Sequence, residues 1–204
     1  MGDDHELLNN VRAFFRSGSR QDTHPLRPDI QASDLLRVRE ASVLIPFHSP
    51  PGVDEPHILL TLRPEYLRSH AGQVSLPGGR REPEDESPQA TALRESEEEI
   101  GAQAHQIEVI GELGAVYMPS GYRITPFVGI LAPDTQIRPC PVEVECTFHA
   151  PASLLLNPDN YRRSSMIFRN REREILELQY GEYRIWGATA AILHGFGQAI
   201  QKSR

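Results

Sequence analysis

The residues Arg94-Glu95-Ser96-Glu97-Glu98-Glu99-Ile100-Gly101 place acids at helical spacing. At about 100° per residue, Glu95, Glu98 and Glu99 stand at i, i+3 and i+4 and share one helix face. Leu93, Ser96 and Ile100 group on a stripe well away from them, which suits burial. Carboxylates stacked this way repel at ~0.2–0.5 kcal/mol per close pair even in water. A hard, oxygen-preferring divalent cation such as Mg²⁺ or Mn²⁺ turns that repulsion into coordination. An isolated Glu-x-x-Glu-Glu is more often a solvated charged face. Here the context is stronger: Gly78-Gly79 ends a strand, and an acidic loop leads into a helix opened by Ser87-Pro88 and closed by Gly101.

The charge distribution agrees with a localised cation site. The chain has 204 residues, with 28 acids against 21 bases and a net charge of −7. Between Glu82 and Glu99 stand eight acids and one base, so this segment carries the whole imbalance. No broad basic footprint of a nucleic-acid binder is present. No apolar run approaches the ~20 residues that cross a bilayer. The acidic start Met1-Gly2-Asp3-Asp4-His5-Glu6 is unlike a secretory signal, so the expected location is the cytoplasm. Cys140 and Cys146 are too few for a disulfide framework and lack zinc-type spacing, and are expected as free thiols.

The elements that must position these acids are legible in outline. Leu7, Leu8, Val11, Phe14 and Phe15 form a helical stripe, followed by a polar loop from Ser17 to about Ser33. Residues 1–35 are therefore expected as a helix and connecting loop packed on a single domain, 36–204. Ala41–Phe47, His57–Arg63, Gln73–Leu76, Ile107–Tyr117, Ile124–Leu131 and Val142–Phe148 read as strands. Met166–Phe168 and Ile175–Tyr180 read as a hairpin, and a final helix begins near Gly187, weakened by Gly195 and Gly197. The class is α/β or α+β, a central mixed sheet with helices on its faces.

From Gly79 to Ala102 the chain resembles the Nudix box, the signature of the Nudix hydrolases, which implies an α/β/α sandwich. Gly79 and Arg94 stand one residue further apart than in the usual box, so Asp85 and Glu86 share the role of its first acid. Ser96 and Ala102 replace bulkier aliphatics. Upstream, Leu59-Leu60-Thr61-Leu62-Arg63, then Arg68, Gly72 and Pro77-Gly78-Gly79, look like the additional motif of the coenzyme A pyrophosphatase subfamily, in which the longer box is also found. Tyr122–Gly129, Glu143-Val144 and Tyr183–Ala190 extend the similarity, so it spans about Ala41 to Phe196.

The resemblance implies metal-dependent hydrolysis of the diphosphate of coenzyme A or acyl-coenzyme A, giving 3′,5′-ADP and 4′-phosphopantetheine or its acyl derivative. Glu95, Glu98 and Glu99 would hold Mg²⁺ or Mn²⁺, with a backbone carbonyl near Gly78 completing the shell. Glu143 or Glu98 would take the proton of the attacking water, with Glu145 as substitute for Glu143. Arg94 would orient a box carboxylate. Arg63 and Arg68 would grip phosphate oxygens, which suits guanidinium forks, and Gly78-Gly79 would let the backbone approach the diphosphate. His70 fits a hydrogen-bonded structural role better than a phosphate contact. Tyr183 and Trp186 fit an adenine stack or, more simply, core packing. The partner is a small molecule; assembly state is left open. Hydrolysis of ADP-ribose, NADH or a similar diphosphate, and a catalytically silent nucleotide-binding regulator, are the competing expectations.

Overall fold

The computed structural model describes residues 3–17, 38–67, 69–168 and 171–203. Helix α1 (Asp3–Arg16) precedes strands β1 (Arg39–Phe47), β2 (His57–Leu62), β3 (Val74–Ser75) and β4 (Gly78–Arg80). Helix α2 (Pro88–Ile100) leads to β5 (Ile107–Glu112), β6 (Val116–Met118), β7 (Tyr122–Leu131) and β8 (Cys146–Pro151). A single helical turn, α3 (Ala152–Leu155), is followed by β9 (Arg162–Phe168), β10 (Arg171–Tyr180), β11 (Tyr183–Trp186) and helix α4 (Gly187–Lys202).

Eight strands build one mixed sheet in the order β3-β2-β1-β7-β5, with β4 on β1, β6 on β7 and β8 on β2. The β1–β7 pair is parallel, from Arg39↔Tyr122 to Phe47↔Ile130. Strands β11-β10-β9 form a second, antiparallel sheet. Because side chains alternate along a strand, neighbours in sequence enter different cores. Leu44, Leu59 and Phe127 join Ala92 and Ile100 of α2 on one face. Ile45, Ile58, Leu60 and Val128 join Val11 and Phe14 of α1 and Leu193 and Phe196 of α4 on the other. The expected α/β/α sandwich around a mixed sheet is the observed architecture.

The site depends on a split in that sheet. β1 and β2 meet at Phe47↔Ile58, then diverge. β3 continues along β2 through Thr61↔Ser75 and Leu62↔Val74. β4 continues along β1 through Ser42↔Gly79 and Val43↔Gly78. The Leu76-Pro77 corner bridges the gap, with the Leu44 amide donating to the Pro77 carbonyl at 2.8 Å. Gly78 and Gly79 are thereby set beside the last turns of α2.

Two expected strands differ. Ile107–Tyr117 is two strands, β5 and β6, interrupted at 113–115. The stretch read as Val142–Phe148 becomes a strand only at Cys146. Its alternation is overridden because Pro141 lacks an amide proton, and the Glu143 and Val144 amides both donate to the Cys140 carbonyl, at 3.0 and 2.8 Å, closing a turn. Val144, fully buried, anchors that turn. Helix α4 runs through Gly195 and Gly197 to Lys202. The polar loop after α1 and the expected boundary at residue 35 lie largely outside the described residues. Both cysteines are free thiols. Among the described residues no helix is long and apolar enough to cross a membrane.

Candidate active site

Local signals fix α2. The Ser87 hydroxyl accepts from the Ala90 amide at 3.1 Å, Pro88 occupies the first turn, and Gly101 ends the helix in the left-handed conformation at φ 73°. Thr91, Ala92, Ser96 and Ile100 turn inward and are buried. Ser96 satisfies its hydroxyl on the Ala92 carbonyl at 2.7 Å. This rotation leaves the three glutamates at graded depth: Glu99 is 2% exposed, Glu95 12% and Glu98 53%.

Glu99 Oε2 accepts from the Gly78 amide at 3.1 Å, and Oε1 lies 3.6 Å from Arg63 Nη1. The turn before β8 delivers a further acid, Glu143. One oxygen from each of Glu95, Glu99 and Glu143 falls within 4.8 Å of the others. Burial pushes the Glu99 carboxyl up to about 8; Glu95 and Glu143 add to the shift, while the Gly78 amide and Arg63 oppose it. Burial, outweighing Arg94, also raises Glu95. Three oxygen donors this close, one of them buried, could hold a hard divalent cation. Such a cation must displace the Glu99 proton to bind.

Glu98 stands apart from this group. Its carboxylate accepts from Arg94 Nη1 at 2.9 Å, an i, i+4 pair on the solvent side. Arg94 is the hub of the outer ring. Its Nε and Nη2 donate to the two oxygens of Asp85 at 3.0 and 3.1 Å, and Nη2 also reaches the Arg80 carbonyl and Glu95 Oε1. Asp85 Oδ2 accepts in addition from the Glu82 amide and the Thr91 hydroxyl, both at 2.9 Å. Of the two acids competing for this position, Asp85 is buried and so bonded, whereas Glu86 faces solvent. The Arg94 bonds hold the Asp85 carboxyl down at about 2.

Asp85→Asn is therefore expected to destabilise the protein at pH 7 and to lower turnover by about tenfold, since Arg94 loses the anchor that fixes Glu95. A depressed carboxyl stabilises the fold above its ordinary range and loses that contribution as pH falls toward 2. The melting-temperature gap between variant and parent must close between pH 5 and pH 2.5; a gap that widens there contradicts the assignment.

Other sequence candidates fall elsewhere. Arg68 lies outside the described residues. His70, at φ 59°, bonds the neighbouring Gln73 side chain and no site carboxylate. Glu145 precedes the strand instead of lying on it and is exposed, its amide on the Leu62 carbonyl at 2.8 Å. At Gly78 the contact to the acids is the amide, not the carbonyl. Tyr183 stacks on Phe148 with ring centroids 3.8 Å apart, and Trp186 lies under the Arg184 guanidinium. Thr91 was missed: its bond to Asp85 joins the helix to the loop before it, and no periodic spacing signals that.

A split mixed sheet, a glycine pair at the split and a carboxylate helix braced by an arginine–aspartate pair frame the candidate site on an α/β/α scaffold. Residues 38–170 match the family model described as NUDIX domain. The chain belongs to the Nudix family and is a hydrolase acting on pyrophosphate bonds. It is 39% identical over 163 residues to the uncharacterized Nudix hydrolase NudL of Photorhabdus laumondii, covering 80% of this chain and 86% of the relative. It is 40% identical over 168 residues to the NudL of Escherichia coli K12, covering 82% and 85%. Among solved structures, a MutT/nudix family protein from Enterococcus faecalis aligns with 95% of this chain and 74% of its own, at TM-score 0.51 and 12% identity, a likeness of fold.

Proposed function

We propose that this hydrolase cleaves the diphosphate of coenzyme A or its thioesters, releasing 3′,5′-ADP and 4′-phosphopantetheine or the acylated form. The observation that carries the reading is the placement of Arg63, from the upstream motif, against the acids. Arg63 directly follows β2, and its guanidinium reaches the edge of the Glu95–Glu99–Glu143 group, 3.6 Å from Glu99. A cation there is available to the diphosphate the acids would otherwise repel. Beside it, a pocket of about 530 Å³ bordered by Leu62, Val74, Cys146, Tyr183 and Trp186 has the size of a small-molecule site.

In this reading Glu95, Glu99 and Glu143 hold Mg²⁺ or Mn²⁺. The bound ion would neutralise diphosphate charge and make a water more acidic. Glu98, on the same helix face and held by Arg94, or Glu143 would accept the water's proton. Arg63, and Arg68 with it, would orient the phosphates, and Arg63 with the Gly78 amide favours the ionised form of Glu99.

The test is mass analysis of products after incubating the protein with coenzyme A and Mn²⁺. The expected products are 3′,5′-ADP and 4′-phosphopantetheine, with slower cleavage of dephospho-coenzyme A. Intact coenzyme A alongside cleaved ADP-ribose or NADH would replace this substrate by another diphosphate.

A further inference from the structure

The geometry points to Tyr66 as a positioning residue for Glu143, tying the arginine-bearing loop to the third carboxylate. The inference rests on Glu143 acting as a metal ligand in the reading above. Glu143 is carried on a turn whose base is well fastened. The Cys140 amide donates to the Glu99 carbonyl at 2.9 Å, capping an otherwise open carbonyl at the end of α2. The Glu145 amide donates to Leu62 at 2.8 Å, and Val144 is buried. The tip is different: Pro141, Val142 and Glu143 are exposed, Val142 by 65%.

Tyr66 bonds that tip. Its phenolic proton is shared between the Pro141 carbonyl at 2.8 Å and the Val142 carbonyl at 3.2 Å, the two peptide groups immediately before Glu143. Tyr66 itself sits on the loop that leaves β2 through Arg63. That loop is closed at its base by the Arg63 amide on Gln73 at 3.0 Å and the Gly72 amide on Arg63 at 3.1 Å. Tyr66 is 67% exposed, so it contributes little to the core. What it does is join the segment that holds a phosphate-facing cation to the one that holds Glu143. Displacement of the Arg63 loop is thereby transmitted to the carboxylate group.

Tyr66→Phe removes the shared proton and keeps the ring. The expected result is a Mn²⁺ affinity, measured by calorimetry without substrate, weaker by roughly 3–10-fold, as befits loss of one hydrogen bond, with an unchanged melting temperature. In a Glu143→Gln background the same substitution is expected to leave Mn²⁺ binding unaltered, because the group it positions is gone. Equal Mn²⁺ affinity in Tyr66→Phe and parent, or an equal loss in both backgrounds, overturns the inference. So does a silent Tyr66→Phe with a raised KM in Tyr66→Leu, which would make the ring a substrate platform. If Glu143→Gln alone leaves Mn²⁺ binding intact, the metal assignment of Glu143 fails and takes the inference with it; if only Tyr66→Phe is silent, the assignment stands.

Discussion

Glu99→Gln is expected to reduce turnover by at least ~10²–10³-fold while making the metal-free protein more stable at alkaline pH. The two effects have one origin. Glu99 is the most buried carboxylate among the described residues, 2% exposed, and its carboxyl is pushed up to about 8. A carboxyl raised above its ordinary 4.5 lets the folded state hold its proton more tightly than the unfolded one. Stability therefore falls as pH climbs from about 4.5 through 8, by up to ~1.4 kcal/mol per unit. Glutamine keeps the shape and the acceptor for the Gly78 amide but never ionises. Parent and variant should melt together near pH 4.5, and the variant should melt higher at pH 8.5. Adding Mn²⁺ is expected to raise the parent's melting temperature and not the variant's, because ligand binding stabilises only the state that binds. Thermal scans across pH, with and without Mn²⁺, check all of this in one experiment. Turnover retained within a few-fold in a folded variant would remove Glu99 from the metal set.

The same residue illustrates what a linear reading can reach. α2 was legible because its determinants are local: a hydroxyl cap and proline at one end, a glycine at the other, and a rotation set by the helical period. Burial of Ser96 and Ile100, and with it the depth of Glu99, follows from that rotation. Side-chain choice within one face did not follow. Glu98 shares the face with Glu95 and Glu99, yet Arg94 one turn earlier draws it away. Asp85 and Glu86 fitted the spacing equally, and the decision came from the Thr91 hydroxyl and the Glu82 amide. Val142–Phe148 alternates like a strand, but its first half closes as a turn on the Cys140 carbonyl, and bonds to α2 and β2 fasten the two ends of that turn. Long-range hydrogen bonds of this kind leave no periodic trace, and it was one of them that brought Glu143 to the site.

The glycine pair supplies the sharpest contrast. Both residues lie in β4, both pair with β1, and alanine at each is expected to lower activity for unrelated reasons. Gly78 has φ 151°, and a Cβ there would stand 2.4 Å from the Ser42 carbonyl oxygen and 2.6 Å from Val43 Cα. Backbone of a central strand cannot retreat, so Gly78→Ala is expected to cost roughly 3 kcal/mol or more and to lower the melting temperature markedly. At Gly79 the Cβ would meet the Glu95 carboxylate, at 2.4 Å from Oε1 and 2.5 Å from Cδ. A carboxylate at the end of a flexible side chain swings aside, so Gly79→Ala is expected to melt within about 2–4 °C of the parent. Its defect is chemical: Glu95 leaves Arg94 Nη2 and the company of Glu99 and Glu143, and Mn²⁺ affinity falls by about tenfold or more. The glycine thus makes room for an acid, a role distinct from admitting the diphosphate. Shortening that acid tests the point. Glu95→Asp placed in the Gly79→Ala protein withdraws the carboxylate by one methylene from the new methyl group. The double variant is expected to bind Mn²⁺ more tightly than Gly79→Ala alone, although Glu95→Asp by itself weakens binding. Strictly additive losses would mean that the two residues do not compete for one space.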